Sequence, residues 1–154
     1  MEQVPSALIT IRQIMKFYEQ CQEPVRQRYQ LAKIEILIMS FLHNNPGHDT
    51  VGEIADMRML SKGNVSRGAD SLIKRGLLER LPDQVDRRWV HLRLLPQAAP
   101  IVDDIEQASL DFAREAFAGF TPEDMETFRD LNHRLAVNAG RNLERSPLSH
   151  GEQE

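Results

Sequence analysis

The sequence predicts a mainly α-helical chain broken once by a two-stranded hairpin. Three observations predict it. Along most of the 154 residues, apolar side chains recur at intervals of three and four, the spacing that gives a helix one buried stripe. Between Leu77 and Leu95 the interval drops to two, as strands require. Cap and stop residues (Thr50, Ser61, Gly76, Thr121) stand between the periodic segments.

Taken in order, Leu8, Ile11, Ile14, Met15, Tyr18 and Cys21 form the first stripe and predict a helix from about Pro5 to Gln22. Pro24 is expected to end or kink it. A second helix spans about Ala32 to Asn44, apolar on several sides and so expected at the centre; Asn44-Asn45-Pro46-Gly47 stops it. Thr50-Val51-Gly52-Glu53 has the spacing of a capping box and starts a short helix through about Met57. Ser61 caps the next helix and Gly76 ends it. Leu77–Leu81 reads as a strand, Pro82–Asp86 as a turn, and Trp89–Leu95 as a second strand with Val90, Leu92 and Leu94 on one face. Pro96 opens a long helix, apolar at Ile101, Ile105, Ala108, Leu110, Phe112 and Phe117. Thr121-Pro122-Glu123-Asp124 starts the last helix, whose buried positions are expected to be Phe128, Leu131, Leu135 and Val137.

A short helix, a tight turn and a capped helix make a helix-turn-helix, and the hairpin that follows is a wing. On the capped helix, Val65, Ala69 and Leu72 fall on the inward face. Gly63, Arg67 and Asp70 lie opposite, flanked by Asn64 and Ser66. That outer face is small, polar or cationic, which suits a helix entering a DNA major groove. Charge points the same way. The chain's formal net charge is −4, yet residues 58–93 hold nine cations against four anions, a local +5. Binding to phosphates depends on the contact surface rather than on the whole-chain charge.

These residues resemble the MarR (multiple antibiotic resistance regulator) family of winged helix-turn-helix regulators. The resemblance runs from about Leu8 to Leu143. It is most specific at Ser61-Lys62, Asn64-Val65-Ser66-Arg67, Leu72, Gly76-Leu77-Leu78-Glu79-Arg80 and Asp86-Arg87-Arg88. It implies a homodimer with interlocked terminal helices that binds a pseudo-palindromic operator in double-stranded DNA, acting as a repressor released by a small-molecule ligand. The implied layout is a dimerisation region at 1–30 and 97–145 and a winged helix-turn-helix DNA-binding domain at 31–96. Ser61, Lys62, Asn64, Ser66, Arg67, Asp86, Arg87 and Arg88 are the implied DNA-binding residues. Arg88 would enter the minor groove, Asp86 would hold the wing, and Arg87 would contact phosphate. The family's pocket, between the dimer helices and the winged helix, makes Tyr18, Tyr29, Phe41 and Phe112 the candidate ligand residues. The chain departs from the family at Leu31-Ala32 and Leu94-Leu95, where Leu-Thr is usual. It departs again at Ala98, in place of glycine, and at Arg58, in place of an apolar residue.

Other function classes find less support. No phosphate-cradling glycine loop, nucleophile elbow or two-histidine metal helix is present, so no enzyme activity, cofactor or metal is expected. An oxidant- or metal-responsive regulator of the same fold, or a winged helix that contacts only proteins, are the alternatives. Cys21 continues an apolar stripe beside Glu19, Gln22 and Glu23, so packing is expected of it rather than redox sensing. His43 and His48 flank a Pro-Gly turn without a further Cys or His. Trp89 is expected to pack at the base of the wing. One cysteine, no signal-like start and no membrane-length apolar run predict a cytoplasmic protein. The polar segment 146–154 is expected to be a disordered tail.

Overall fold

The first helix, α1 (Gln3–Tyr29), runs through Pro24 instead of stopping before it. The proline deprives the Gln20 carbonyl of its helical donor, but Gln20 is exposed, so water can take the donor's place. Val25, just beyond, is buried and helps hold the last turns against that cost. The helix closes at Gln30, whose φ is +55°, with Leu31 N–H donating to the Arg26 carbonyl at 3.0 Å. The computed structural model describes residues 3–145, so the expected tail at 146–154 lies outside the described residues. The chain divides into two compact units, one ending at Ala116 and one beginning at Phe117.

The first unit is built around α2 (Lys33–Asn44), whose Ile38, Met39 and Phe41 are fully buried. Ala32 stands at its cap without a side-chain acceptor; Glu35 reaches back instead, its Oε2 accepting from Ala32 N–H at 2.7 Å. The capping box expected at Thr50 is formed. Thr50 Oγ1 accepts from Glu53 N–H at 3.2 Å and Glu53 Oε2 from Thr50 N–H at 3.1 Å, opening α3 (Val51–Arg58).

Ser61 caps α4 (Lys62–Lys74), which buries Val65, Gly68, Ala69 and Leu72. A Cβ at Gly68 would lie 2.8 Å from Ile38 Cδ1 and 2.9 Å from Ile34 Cγ1, so the glycine sets how closely α4 approaches α2. Gly76, at φ +71°, turns the chain into the hairpin, and Leu77 N–H closes the helix end on the Leu72 carbonyl.

Strands β1 (Leu78–Pro82) and β2 (Val90–Leu94) pair antiparallel, with Arg80 opposite Leu92 and Pro82 opposite Val90. Pro82, expected in the turn, is thus the last strand residue; a two-stranded ribbon has outward edges that tolerate it. The expected apolar face divides along its length: Leu92 is buried, Leu94 half-buried and Val90 exposed. A 3-10 turn at Pro96–Ala98 leads into α5 (Ala99–Ala116), which buries Ile101, Val102, Ile105 and Ala108. Leu110 is exposed, and Phe117 lies just past the helix rather than within it.

In the second unit, Thr121 Oγ1 accepts from Asp124 N–H at 3.1 Å and starts α6 (Pro122–Glu144). Phe117 meets Phe120 and Phe128 edge-on, with ring centroids 5.4 and 5.2 Å apart. The expectation that Phe128, Leu131, Leu135 and Val137 are buried does not hold within this chain: all four are exposed, by 39–59%. A lone helix has no second layer in its own unit to cover such a stripe. Leu8, Ile11, Ile14 and Met15 on α1 are exposed in the same way.

Candidate nucleic-acid interface

The turn between α3 and α4 is fixed by Met59, in the left-handed region at φ +55°, and by Leu60 N–H donating to the Ala55 carbonyl at 2.9 Å. Ser61 Oγ is engaged as the cap, accepting from Asn64 N–H at 3.2 Å. The outer face of α4 presents Lys62, Gly63 and Arg67 to solvent, with Asn64, Ser66 and Asp70 half-buried. Lys62 lies beside the first turn of α3: its Cε is 3.9 Å from the place a Cβ on Gly52 would occupy. A cation and a helix N-terminus therefore adjoin, and both favour phosphate. Arg67 folds back along α4 until its guanidinium is 3.5 Å from where a Cβ on Gly63 would sit.

Several of the local cations are committed to the scaffold. Arg80 pairs with Asp70 and ties the hairpin to α4, while Arg93 pairs with Glu79 directly across the strands. Arg75 reaches the Tyr29 and Gln30 carbonyls and, at 3.5 Å, the buried Glu35 carboxylate, which also accepts from Ser71 Oγ. Lys62, Arg67 and Arg87 make no ion pair among the described residues.

Two aspartates shape the wing loop. The Asp83 carboxylate accepts from Val85 N–H at 3.0 Å and Asp86 N–H at 2.8 Å. Asp86 accepts from Arg88 N–H and Nε, both at 3.0 Å, and from its terminal nitrogen at 2.7 Å. The Asp86 amide, more than any other group, holds Asp83 below the usual carboxylate range. The Arg88 guanidinium does the same for Asp86, which in turn pushes Arg88 upward. Arg88 is thus held by Asp86 while its side chain stays 89% exposed.

His91 was not singled out in the sequence, yet it locks the wing to the body. Its Nδ1 lies 2.6 Å from Asp49 Oδ1 and its Nε2 2.9 Å from Asp83 Oδ1. Each ring nitrogen faces a carboxylate, an arrangement that suits the doubly protonated ring. Asp49 first, then Asp83, raises its pKa above the ordinary imidazole value. The backbone adds Leu92 N–H to the Asp49 carbonyl at 2.7 Å. A histidine immediately before a strand's buried Leu, with aspartates in the loops at positions 49 and 83, was the only sequence signal.

Ser66 of α4 and Arg88 of the wing line one depression together with Arg80, Trp89 and Val90. Trp89 does not pack at the wing's base as expected. Its position just before β2 turns it outward, and it is 53% exposed.

A separate cavity of about 200 Å³ lies between α1, α2 and the end of α3, lined by Tyr18, Gln22, Ile36, Leu37, Ser40 and Arg58 among others. Gln22 is 3% exposed; its Nε2 donates to Ser109 Oγ at 3.1 Å, and its Oε1 is buried without a partner among the described residues. Arg58 makes no ion pair among the described residues and sits 5.6 Å over the Phe41 ring. Of the four expected ligand residues, Tyr18 alone lines this cavity. Phe112 backs Tyr18 edge-on at 5.2 Å, and Phe41 is fully buried. Tyr29 O–H donates to Asp104 at 2.6 Å, which raises its pKa. Gln22 could have been found: it falls four residues after Tyr18, a polar group on an otherwise apolar stripe.

Comparison with known proteins agrees with this geometry. The sequence model of the MarR family matches residues 29–88, from the end of α1 to the wing tip. The chain is 25% identical over 128 residues to the uncharacterized HTH-type transcriptional regulator YsmB of Bacillus subtilis, covering 83% of this chain and 87% of the relative. It is 21% identical to the HTH-type transcriptional regulator PecS of Dickeya dadantii, covering 82% and 77%. Among solved structures, a MarR-family regulator from Silicibacter pomeroyi superposes with a TM-score of 0.75 at 20% identity, covering 86% of this chain and 88% of that one. Bordetella bronchiseptica BpsR, whose DNA binding is regulated by 6-hydroxynicotinic acid, gives 0.68 at 16% identity, covering 85% and 98%.

Proposed function

We propose, from the match of residues 29–88 to the MarR family model, that this chain is a MarR-family regulator: a homodimeric DNA-binding transcriptional repressor released by a small-molecule effector. The observation that carries the DNA-binding reading is the shared depression in which Ser66 of α4 meets Arg88 of the wing. A helix that fits a major groove and a cation on a hairpin that fits the adjoining minor groove thus belong to one surface. The exposed, unpaired Lys62, Arg67 and Arg87 supply the charge; the acidic remainder of the chain orients that surface toward DNA.

The exposed stripes of α1 and α6 support a homodimer, because apolar surface of that extent is ordinarily covered by a second copy. Two copies related by a two-fold axis would read a pseudo-palindromic site, with half-sites about one helical turn, roughly 34–36 Å, apart. The cavity supports the effector reading. Arg58 offers an unpaired cation, Ile36 and Leu37 an apolar wall, and Gln22 Oε1 an acceptor lacking a donor. A small aromatic acid that also carries a hydroxyl or N–H group fits that set. Among the described residues no helix is long and apolar enough to cross a membrane, and the reading places the protein beside DNA in the cytoplasm.

A gel-shift titration against the protein's own upstream region tests this reading. Wild type should shift it, and Arg67→Ala should bind specific sites more weakly by about 1–3 kcal/mol and relax preference at one position per half-site. If Arg67→Ala loses equally on every sequence, Arg67 is a phosphate contact; if wild type shifts nothing, the DNA-binding reading is wrong.

A further inference from the structure

Trp89 is the chain's single tryptophan, and its setting is unusual for so large an apolar ring. Its main chain is pinned on both sides: Trp89 N–H donates to the Asp86 carbonyl and its carbonyl accepts from Asp83 N–H, each at 3.0 Å. The ring's attachment therefore cannot swing away from the wing. Among the described residues the indole makes no aromatic stacking and no cation–π contact, and its Nε1–H is turned toward the Asp86 carboxylate. It is 53% exposed, and its neighbour Val90 is 37% exposed. Both line the depression that Ser66, Arg80 and Arg88 share.

A half-exposed apolar ring on a pinned main chain, in a depression that Arg80 and Arg88 also line, calls for a partner that is apolar where it meets the ring and anionic nearby. A deoxyribose–phosphate strand has that character: sugar carbons alternate with phosphate oxygens. The place also fits. A strand passing from the groove facing α4 to the groove facing Arg88 must cross the depression between them, and contacts to sugar and phosphate are what fix a protein's register on a duplex.

We propose that Trp89 is a DNA-backbone contact, its indole packing on a sugar of the strand that separates the two grooves. The proposal rests on the DNA-binding reading above. It gives Trp89 a role distinct from that of Arg88: it seats the wing irrespective of sequence, whereas Arg88 responds to groove width.

The experiment uses the full chain and two end-labelled duplexes of about 30 base pairs, long enough for two half-sites: one from the protein's own upstream region, one a scramble of it. Label anisotropy reports binding, and the emission of Trp89 reports its surroundings. On saturation with the upstream duplex, Trp89 emission should be quenched and become less accessible to acrylamide. Trp89→Ala should weaken binding roughly tenfold, the scale expected if about half the exposed indole is covered. The loss should be equal on A·T- and G·C-flanked versions of the site. Trp89→Phe, which keeps a smaller ring, should fall between. Circular dichroism of both variants checks that the fold is retained. The proposal is overturned if wild type binds while its emission and acrylamide accessibility stay unchanged, or if Trp89→Ala binds within twofold of wild type. A loss confined to A·T flanks also overturns it, making Trp89 a groove reader. Wild type that produces no anisotropy change on either duplex defeats the DNA-binding reading itself, and the proposal with it.

Discussion

Glu35 is the buried carboxylate that joins the start of α2 to α4, and its removal should be costly in a predictable amount. It is 4% exposed, accepts from Ala32 N–H at 2.7 Å and from Ser71 Oγ, and faces Arg75 at 3.5 Å. Glu35→Ala strips the cap from α2, worth about 1 kcal/mol. It also leaves the part-buried Ser71 hydroxyl unsatisfied, at about 1–2 kcal/mol. The Arg75 contact adds little, because that side chain is 32% exposed and holds two backbone carbonyls as well. The loss should be about 2–3 kcal/mol, which for a chain of this size corresponds to a Tm lower by roughly 5–10 °C. Glu35→Gln, which can still accept from Ala32 and donate to Ser71, should lose less than half as much. Urea unfolding followed by circular dichroism at one fixed protein concentration measures both, and the concentration must be held because the proposed dimerisation would shift apparent stability. The cycle with Ser71→Ala should show coupling of about 1 kcal/mol. A loss below about 0.5 kcal/mol for Glu35→Ala, or additive behaviour in the cycle, would refute the account of how α4 is anchored.

The wing carries three further expectations. Arg88→Ala should cost affinity most on operators with narrow, A·T-rich flanks and little on G·C flanks, while Asp86→Ala gives a similar but smaller loss; equal binding of Arg88→Ala and wild type on both flanks contradicts the minor-groove role. Lys62→Ala should lower the slope of log K against log salt by about one per half-site and leave sequence preference alone, which titrations at several salt concentrations would report. The His91 clamp should depend on pH. Its folded pKa is raised above an unfolded value near 6.5, so its contribution is complete below about pH 6.5 and disappears as pH rises through the folded value. The unfolding midpoint of His91→Gln should therefore lie furthest below wild type near pH 6 and converge with it at alkaline pH; a gap constant from about pH 6 to pH 9 would refute the clamp.

Elements governed by local chemistry were legible in the sequence. Thr50, Ser61 and Thr121 cap the helices they announced because a cap is a contact between residues three apart. The inward face of α4 followed from its period. What escaped was decided by partners distant in sequence. Pro24 failed to stop α1 because Val25 and the residues after it pack on the body, which no local rule reports. His91 joins Asp49 across 42 residues, and Gln22 joins Ser109 across 87. The stripes on α1 and α6 were legible as stripes, but not that they stand exposed among the described residues. Trp89 was misread for the opposite reason: it was expected to pack at the base of the wing, while its place at the end of a loop turned it outward.

The measurement that tests the central claim most directly is a hydroxyl-radical footprint of the wild-type protein on its own upstream DNA. A helix in the major groove and a wing in the neighbouring minor groove, repeated by a two-fold axis, should protect two symmetric patches. Their centres should be about 10 base pairs apart, with backbone protection extending outward on each flank where the wings lie. Protection without two-fold character, or protection at α4's patches with bare flanks, would contradict it.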